Sequence, residues 1–350
     1  MIVGLPRGYC ARSARFEDVE AVVALLNRSS MDVLGVVQHE VEQQSVEWRT
    51  PRFDMDGDTR VVIGPDGGIV GYGEVWDLDD PHVRPYCWGR VDPAHCGLGI
   101  GSALLAWEEE RGRQAIEQAP EEARVVLCSS VSEKDAAGLQ LIEDHGFREA
   151  RRFWRMVIDM DSAPAPAPWP EGITVRAFDP ETDLPATVQA VRESFRDHWG
   201  HVESPFEEEL SRWRHWITED EAFDPSLWFL AEQGEDIAGI VLCWPKSYED
   251  PQLGWINILG VVRAWRRRGI GRALLRHAFA EFYRRGKSKV GLVVDATSLT
   301  GANRVYEMAG MKPVRVSISY EQEIRGGRDL SCRVLDDEKE EALAVSEAVD

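Results

Sequence analysis

The chain has 350 residues, about twice the length of a usual domain, so two domains are expected. It is 43% hydrophobic and 29% charged, which excludes wholesale disorder. Its 40 basic and 61 acidic side chains leave a formal charge of −21; that field repels phosphate backbones and anionic lipid and argues against nucleic-acid and membrane partners.

In chain order, a short strand and an amphipathic helix come first (11–29), then two strands joined by a DGG turn (59–76). A fourth strand (85–91), a glycine-rich turn with a helix, a buried strand (124–131), another helix and a final strand close the unit. The same series returns at 173–195, 227–244, 254–262, 270–286 and 290–296. Three landmarks align the copies: GLGIGSALL with RRGIGRALL at an offset of 170, IVGYGEVW with IAGIVLCW at 168, and LIEDHGF with VYEMAGM at 164. An internal duplication of a domain-sized unit follows. The expected layout is an N-terminal domain over 1–160, a Pro/Ala spacer over 161–172, a C-terminal domain over 173–334 and an acidic tail over 335–350. The fold class is α+β, an α/β-type mixed sheet flanked by helices, present twice.

Six cysteines (Cys10, Cys87, Cys96, Cys128, Cys243, Cys332) form no CxxC pair, which argues against a zinc site and a disulfide framework. The opening apolar run breaks at Pro6 and Arg7, too early for a signal peptide, and no stretch nears the roughly 20 apolar residues of a spanning helix. A soluble, cytoplasmic protein is expected, as a monomer or a homodimer.

The strand–turn–helix junction of the second copy carries the chemistry. Gly269 and Gly271 let the backbone approach a ligand, and the helix that follows adds the positive end of its dipole. Such a nest suits a pyrophosphate, yet it fits neither the GxxxxGK[ST] loop nor the GxGxxG fingerprint. The spacing Arg266-x-x-Gly269-x-Gly271, with the element order around it, resembles the GCN5-related N-acetyltransferases, over nearly the whole chain.

That resemblance implies acetyl-CoA as co-substrate, no metal, and a primary amine on a small molecule or peptide as acceptor. It places Leu259, Gly260 and Val261 against pantetheine and the thioester oxygen. Arg266, Arg267, Arg268, Gly269, Ile270, Gly271, Arg272 and Ala273 surround the pyrophosphate. Tyr306, four before Gly310, matches the tyrosine that protonates the departing thiolate. The family's Asn position is Leu299 here, with Ser298 beside it as a substitute. The fourth strand carries no carboxylate; Asp295, His198, Glu249, Asp250 or a water chain remain as the base.

The first copy keeps Gly97, Gly99 and Gly101 but has Cys96 for Arg266, Asp135 for the Asn and Ile142 for Tyr306. It is expected to be non-catalytic, with its cleft either empty or holding an acyl-CoA. Cys96 reads as a small loop residue. This layout is similar to that of the mycothiol synthases, family members that acetylate the cysteinyl amine of a glucosaminyl-inositol conjugate, although the missing carboxylate departs from them. Aminoglycosides, polyamines and protein N-termini are the other acceptors of the class. A non-catalytic acyl-CoA sensor or scaffold is the alternative. The segment 195–223 has two readings: an amphipathic helix whose Trp199, Trp213 and Trp216 pack on the sheet, or a pocket whose Glu203, Glu207, Glu208 and Glu209 attract an ammonium. Its His198, His201 and His215 lack a metal-ligand spacing.

Overall fold

A computed structural model describes residues 2–165, 168–298 and 301–333; Leu299 and the acidic segment 335–350 lie outside the described residues. The N-terminal half runs β1 (Cys10–Arg12), α1 (Val19–Leu34), α2 (Val41–Trp48), α3 (Met55–Asp58), β2 (Thr59–Ile63), β3 (Ile69–Trp76), β4 (Tyr86–Val91), α4 (Ile100–Gly112), β5 (Val125–Ser132), α5 (Ala136–Asp144) and β6 (Arg148–Asp159). The C-terminal half repeats the series as β7 (Thr174–Ala177), α6 (Leu184–Phe195), α7 (Phe206–Glu219), β8 (Trp228–Gln233), β9 (Asp236–Trp244), β10 (Leu253–Val261), α8 (Ile270–Arg284), β11 (Lys289–Asp295), α9 (Ala302–Met308) and β12 (Lys312–Arg325). The duplicated mixed sheet read from the sequence is present.

Helix α8 shows why the pattern folds this way. Ile270, Leu274, Leu275, Ala278, Phe279 and Phe282 recur at helical spacing, and all are buried in one cluster with Val241, Cys243 and Ile256 of the sheet. The spacer also packs, since Trp169 lies against this cluster and its ring meets that of His277 at 6.0 Å.

The chain divides into two compact units, and each takes its sixth strand from the other half of the sequence. Unit 1 comprises Met1–Arg151, Ser211–Glu221 and Val316–Asp329. Its sheet runs β1-β2-β3-β4-β5-β12. Unit 2 comprises Arg152–Leu210, Ala222–Arg315 and the described residues after Asp329, with the order β6-β11-β10-β9-β8-β7. In unit 1, Ser317–Arg325 runs antiparallel to β5 and buries Ile318 and Tyr320 in the core. Tyr320 donates its hydroxyl proton to Glu143 (2.9 Å), and Arg325 donates to the carbonyls of Ala123, Ile116 and Pro120. In unit 2, Phe153–Asp159 pairs antiparallel with all of β11, and Met156 is fully buried. The linear division at 160 and 173 carries no trace of this exchange.

Candidate active site

The cleft of unit 2 opens where two neighbouring strands part. β10 and β11 pair in parallel only at Leu253–Lys289, Gly254–Val290 and Trp255–Gly291. Beyond that point β10 continues to Val261 against β9, and β11 continues to Asp295 against β6. A bulge between Ile256 and Ile258 places Asn257 outside the β9 register, at the mouth of the gap. Backbone groups of Leu259, Gly260 and Val261 therefore border the gap on the edge away from β9. Gly260 also meets a steric demand: a Cβ there would lie 2.7 Å from the Ser194 side chain of α6. Asn257 escaped the sequence reading; one polar residue in an apolar strand was the available signal.

The glycine turn is built as a nest. Arg267 and Gly269 both adopt left-handed backbone, with φ of 61° and 87°. The first intrahelical bond of α8 is Ala273 N–H to Gly269 O at 3.1 Å, so the amides of Ile270, Gly271 and Arg272 point out of the helix end. Ile270 and Ala273 bury their side chains, leaving only backbone to offer a ligand. Arg267, Arg268 and Arg272 are exposed, and among the described residues none forms an ion pair. Arg268 stacks on Trp265 at 4.8 Å. These features fit a pyrophosphate. Arg266 differs from its neighbours: it holds Asp197 (2.5 Å) and the carbonyls of Ser194 and Val261, and its amide donates to Arg263 O. Its guanidinium ties the end of α6 to the turn.

Tyr306 lies on α9 at 6% exposure, packed in the unit 2 core, and burial pushes its phenol up to about 12. The Ser298 hydroxyl accepts the Ala302 amide proton at 3.3 Å and so caps the same helix. Glu249 precedes β10 at the far end of the gap and is engaged by Arg315 (2.5 Å) and Arg155 (3.3 Å). Asp250 accepts the Gln252 amide in the same turn, and Asp295 accepts both the amide and the hydroxyl of Thr297. His198 stacks on Phe195 at 4.3 Å, and its Nδ1 is buried without a hydrogen-bond partner. Burial, then Arg266, hold its pKa below the ordinary value, while Asp295 pulls the other way.

The segment read as a possible acidic pocket divides between the units. Glu209 pairs with Arg192 (2.6 Å) and Glu203 with Arg196 (3.4 Å). From Ser211 onward the helix belongs to unit 1, where Arg212 pairs with Asp79 and His215 Nε2 lies 3.0 Å from Val46 O. Trp213 is buried, as the amphipathic reading expects, whereas Trp216 is 41% exposed. Among the described residues, no group of three or more His, Cys, Asp or Glu is arranged to hold a metal ion.

The acetyltransferase (GNAT) family model matches residues 23–147 and again 188–311. The chain belongs to the GNAT acetyltransferase family. It is 31% identical over 321 residues to the mycothiol acetyltransferase of Streptomyces scabiei, covering 87% of this chain and 91% of that one. Among solved structures, a GCN5-related N-acetyltransferase from Sphaerobacter thermophilus superposes with a TM-score of 0.76 at 35% identity, over 93% of this chain and 99% of that one. A tandem GNAT protein from the clavulanic acid pathway shares the fold, with a TM-score of 0.67 at 16% identity over 91% and 100% of the two chains. As a GNAT enzyme the protein uses an acyl-CoA. No helix among the described residues is long and apolar enough to cross a membrane.

The first GNAT copy encloses a cleft of about 720 Å³ within unit 1. Its walls include Gly89 and Arg90 of β4, Ser129 and Ser130 of β5, the Gly97–Gly99 turn, and Asp135 and Ile142. The strands part here as well: β4 and β5 share a single paired position, Tyr86–Cys128. Gly97 and Gly99 repeat the left-handed pair of the second copy, with φ of 76° and 83°. Asp135 caps α5 through the Gly138 amide (2.8 Å), and Ile142 is buried. Burial and three nearby aspartates push the Cys96 thiol up, away from the thiolate a nucleophile needs.

Glu108 is the unexpected wall residue. Its carboxyl fills a niche left by Gly73 and Gly89, where Cβ atoms would come within 2.5 and 2.7 Å of its Oε1, and that oxygen has no hydrogen-bond partner. In the second copy the aligned residues are Ala278, Val241 and Leu259, so the first copy carries on its helix the volume that the second carries on its strands. Burial, reinforced by Glu74, pushes Glu108 up to about 8. Between its ordinary value and pH 8 the folded protein therefore holds a proton that the unfolded chain has released. Stability falls as pH rises through that window, by at most about 1.4 kcal/mol per pH unit. Glu108→Gln is expected to gain melting temperature over the parent at pH 8 and little at pH 5, measured by thermal unfolding; an equal effect at both would contradict the assignment.

Proposed function

We propose that unit 2 transfers an acetyl group from acetyl-CoA to a primary amine, with Tyr306 as proton donor to the leaving thiolate. The observation that supports this most is the conjunction of a parted β10–β11 pair, an arginine-rimmed nest and a buried tyrosine in one unit. Arg267, Arg268, Arg272 and the helix-end amides would hold the pyrophosphate, and the β10 edge at Leu259 to Val261 would bind the pantetheine arm. Bound acetyl-CoA supplies an activated thioester. β10 amides polarise its carbonyl as the amine attacks. His198, kept neutral by burial, accepts the amine proton directly or through water. Tyr306, which keeps its proton throughout the physiological range, delivers it to sulfur.

The relatives named as mycothiol acetyltransferases favour a small thiol-bearing amine as acceptor. Release of CoA from acetyl-CoA is the test, with a cysteinyl amino-sugar amide, spermidine, an aminoglycoside and a free peptide N-terminus as acceptors. Amine-dependent release with any of them supports the reading, and the first is expected to react fastest. Acetyl-CoA binding without release from any would favour a sensor.

A further inference from the structure

Arg90 has no counterpart in the second copy, where the aligned residue is Gly260 and a side chain would strike Ser194. It is the one Arg or Lys among the residues lining the unit 1 cleft. Its guanidinium lies over the Trp88 ring at 4.4 Å and makes one hydrogen bond among the described residues, from Nη1 to Gly89 O (2.7 Å). Among the described residues no carboxylate pairs with it; Asp135 and Glu108 act on it from farther off, and Asp135 has an oxygen turned to the Gly138 amide.

Strand alternation fixes the direction in which Arg90 points. Gly89 faces Glu108 of α4, and Val91 faces Gly101 at the start of the same helix. Arg90 and Trp88 therefore share the opposite face, away from the Gly97–Gly101 nest. An anion meeting Arg90 is not the pyrophosphate. The nest itself has lost its cations, since Gly97, Leu98 and Ser102 replace Arg267, Arg268 and Arg272. A guanidinium whose face is covered by an indole offers its edge donors, the geometry that pairs with a planar carboxylate.

We propose that the unit 1 cleft binds a carboxylate at Arg90, carried by the acyl group of a CoA thioester or by a separate small acid bound beside CoA. This rests on reading Gly97–Gly101 as a nest for CoA phosphates. Calorimetry on the full chain with acetyl-CoA, succinyl-CoA, and CoA plus succinate tests it, with hydrogen exchange assigning each event to residues 86–102 or 256–272. Succinyl-CoA is expected to protect 86–102 and to bind there about tenfold more tightly than acetyl-CoA. Arg90→Met should abolish that preference while leaving the second site unchanged, and Arg90→Lys should keep part of it. An Arg90-dependent effect of free succinate instead assigns the carboxylate to a separate acid. CoA binding at 86–102 that ignores both the carboxylate and Arg90 overturns the proposal. Protection of 86–102 by none of the ligands overturns the nest reading as well.

Discussion

Tyr306→Phe is expected to lower kcat by about 10²- to 10⁴-fold while acetyl-CoA affinity and melting temperature stay nearly constant. The phenol ring packs in the unit 2 core, and phenylalanine keeps that packing. Among the described residues the hydroxyl makes no hydrogen bond, so its removal breaks no contact of the fold. What it removes is the proton held ready by a group that burial has pushed up to about 12. Single-turnover release of CoA measures this directly. Wild-type turnover by the variant would assign the thiolate proton to another donor.

Tyr320→Ala is expected to cost about 3–5 kcal/mol, the range for removing a buried aromatic side chain. The loss should appear in the first GNAT copy, although Tyr320 belongs to the second half of the chain. Its ring is 2% exposed, it shares a core with Leu127, Ile142 and Phe147, and its hydroxyl holds Glu143. Hydrogen exchange should show protection lost in β5 and α5, with α8 little affected. Loss confined to α8 and β11 would contradict the strand exchange. Tyr320→Phe, which keeps the ring, should recover most of the stability.

Much of this was legible from spacing. The repeated glycine turns, the hairpins and the helix stripes are local patterns, and local patterns survive in one sequence. Arg266 shows where that ends. Its partner Asp197 lies 69 residues earlier, so nothing near the RRRGIG motif marked its side chain as engaged in holding the fold. The β10 bulge at Asn257 depends on register with β9, which alternation alone does not give. β6 and β12 are end strands with no feature that names a neighbour, and their exchange was invisible for that reason. Glu108 reads as a surface acid on a helix until Gly73 and Gly89, on two other strands, are seen to leave it a niche.

Calorimetric titration of the full chain with and without Arg267→Glu tests whether the arginine-rimmed turn of unit 2 holds acetyl-CoA. Arg267 is exposed and forms no ion pair among the described residues, so the charge reversal should spare the fold. Acetyl-CoA is expected to bind with a tightest component that weakens by about tenfold or more in the variant, with an unchanged melting temperature. Equal affinity in both proteins, or no binding to either, would contradict it.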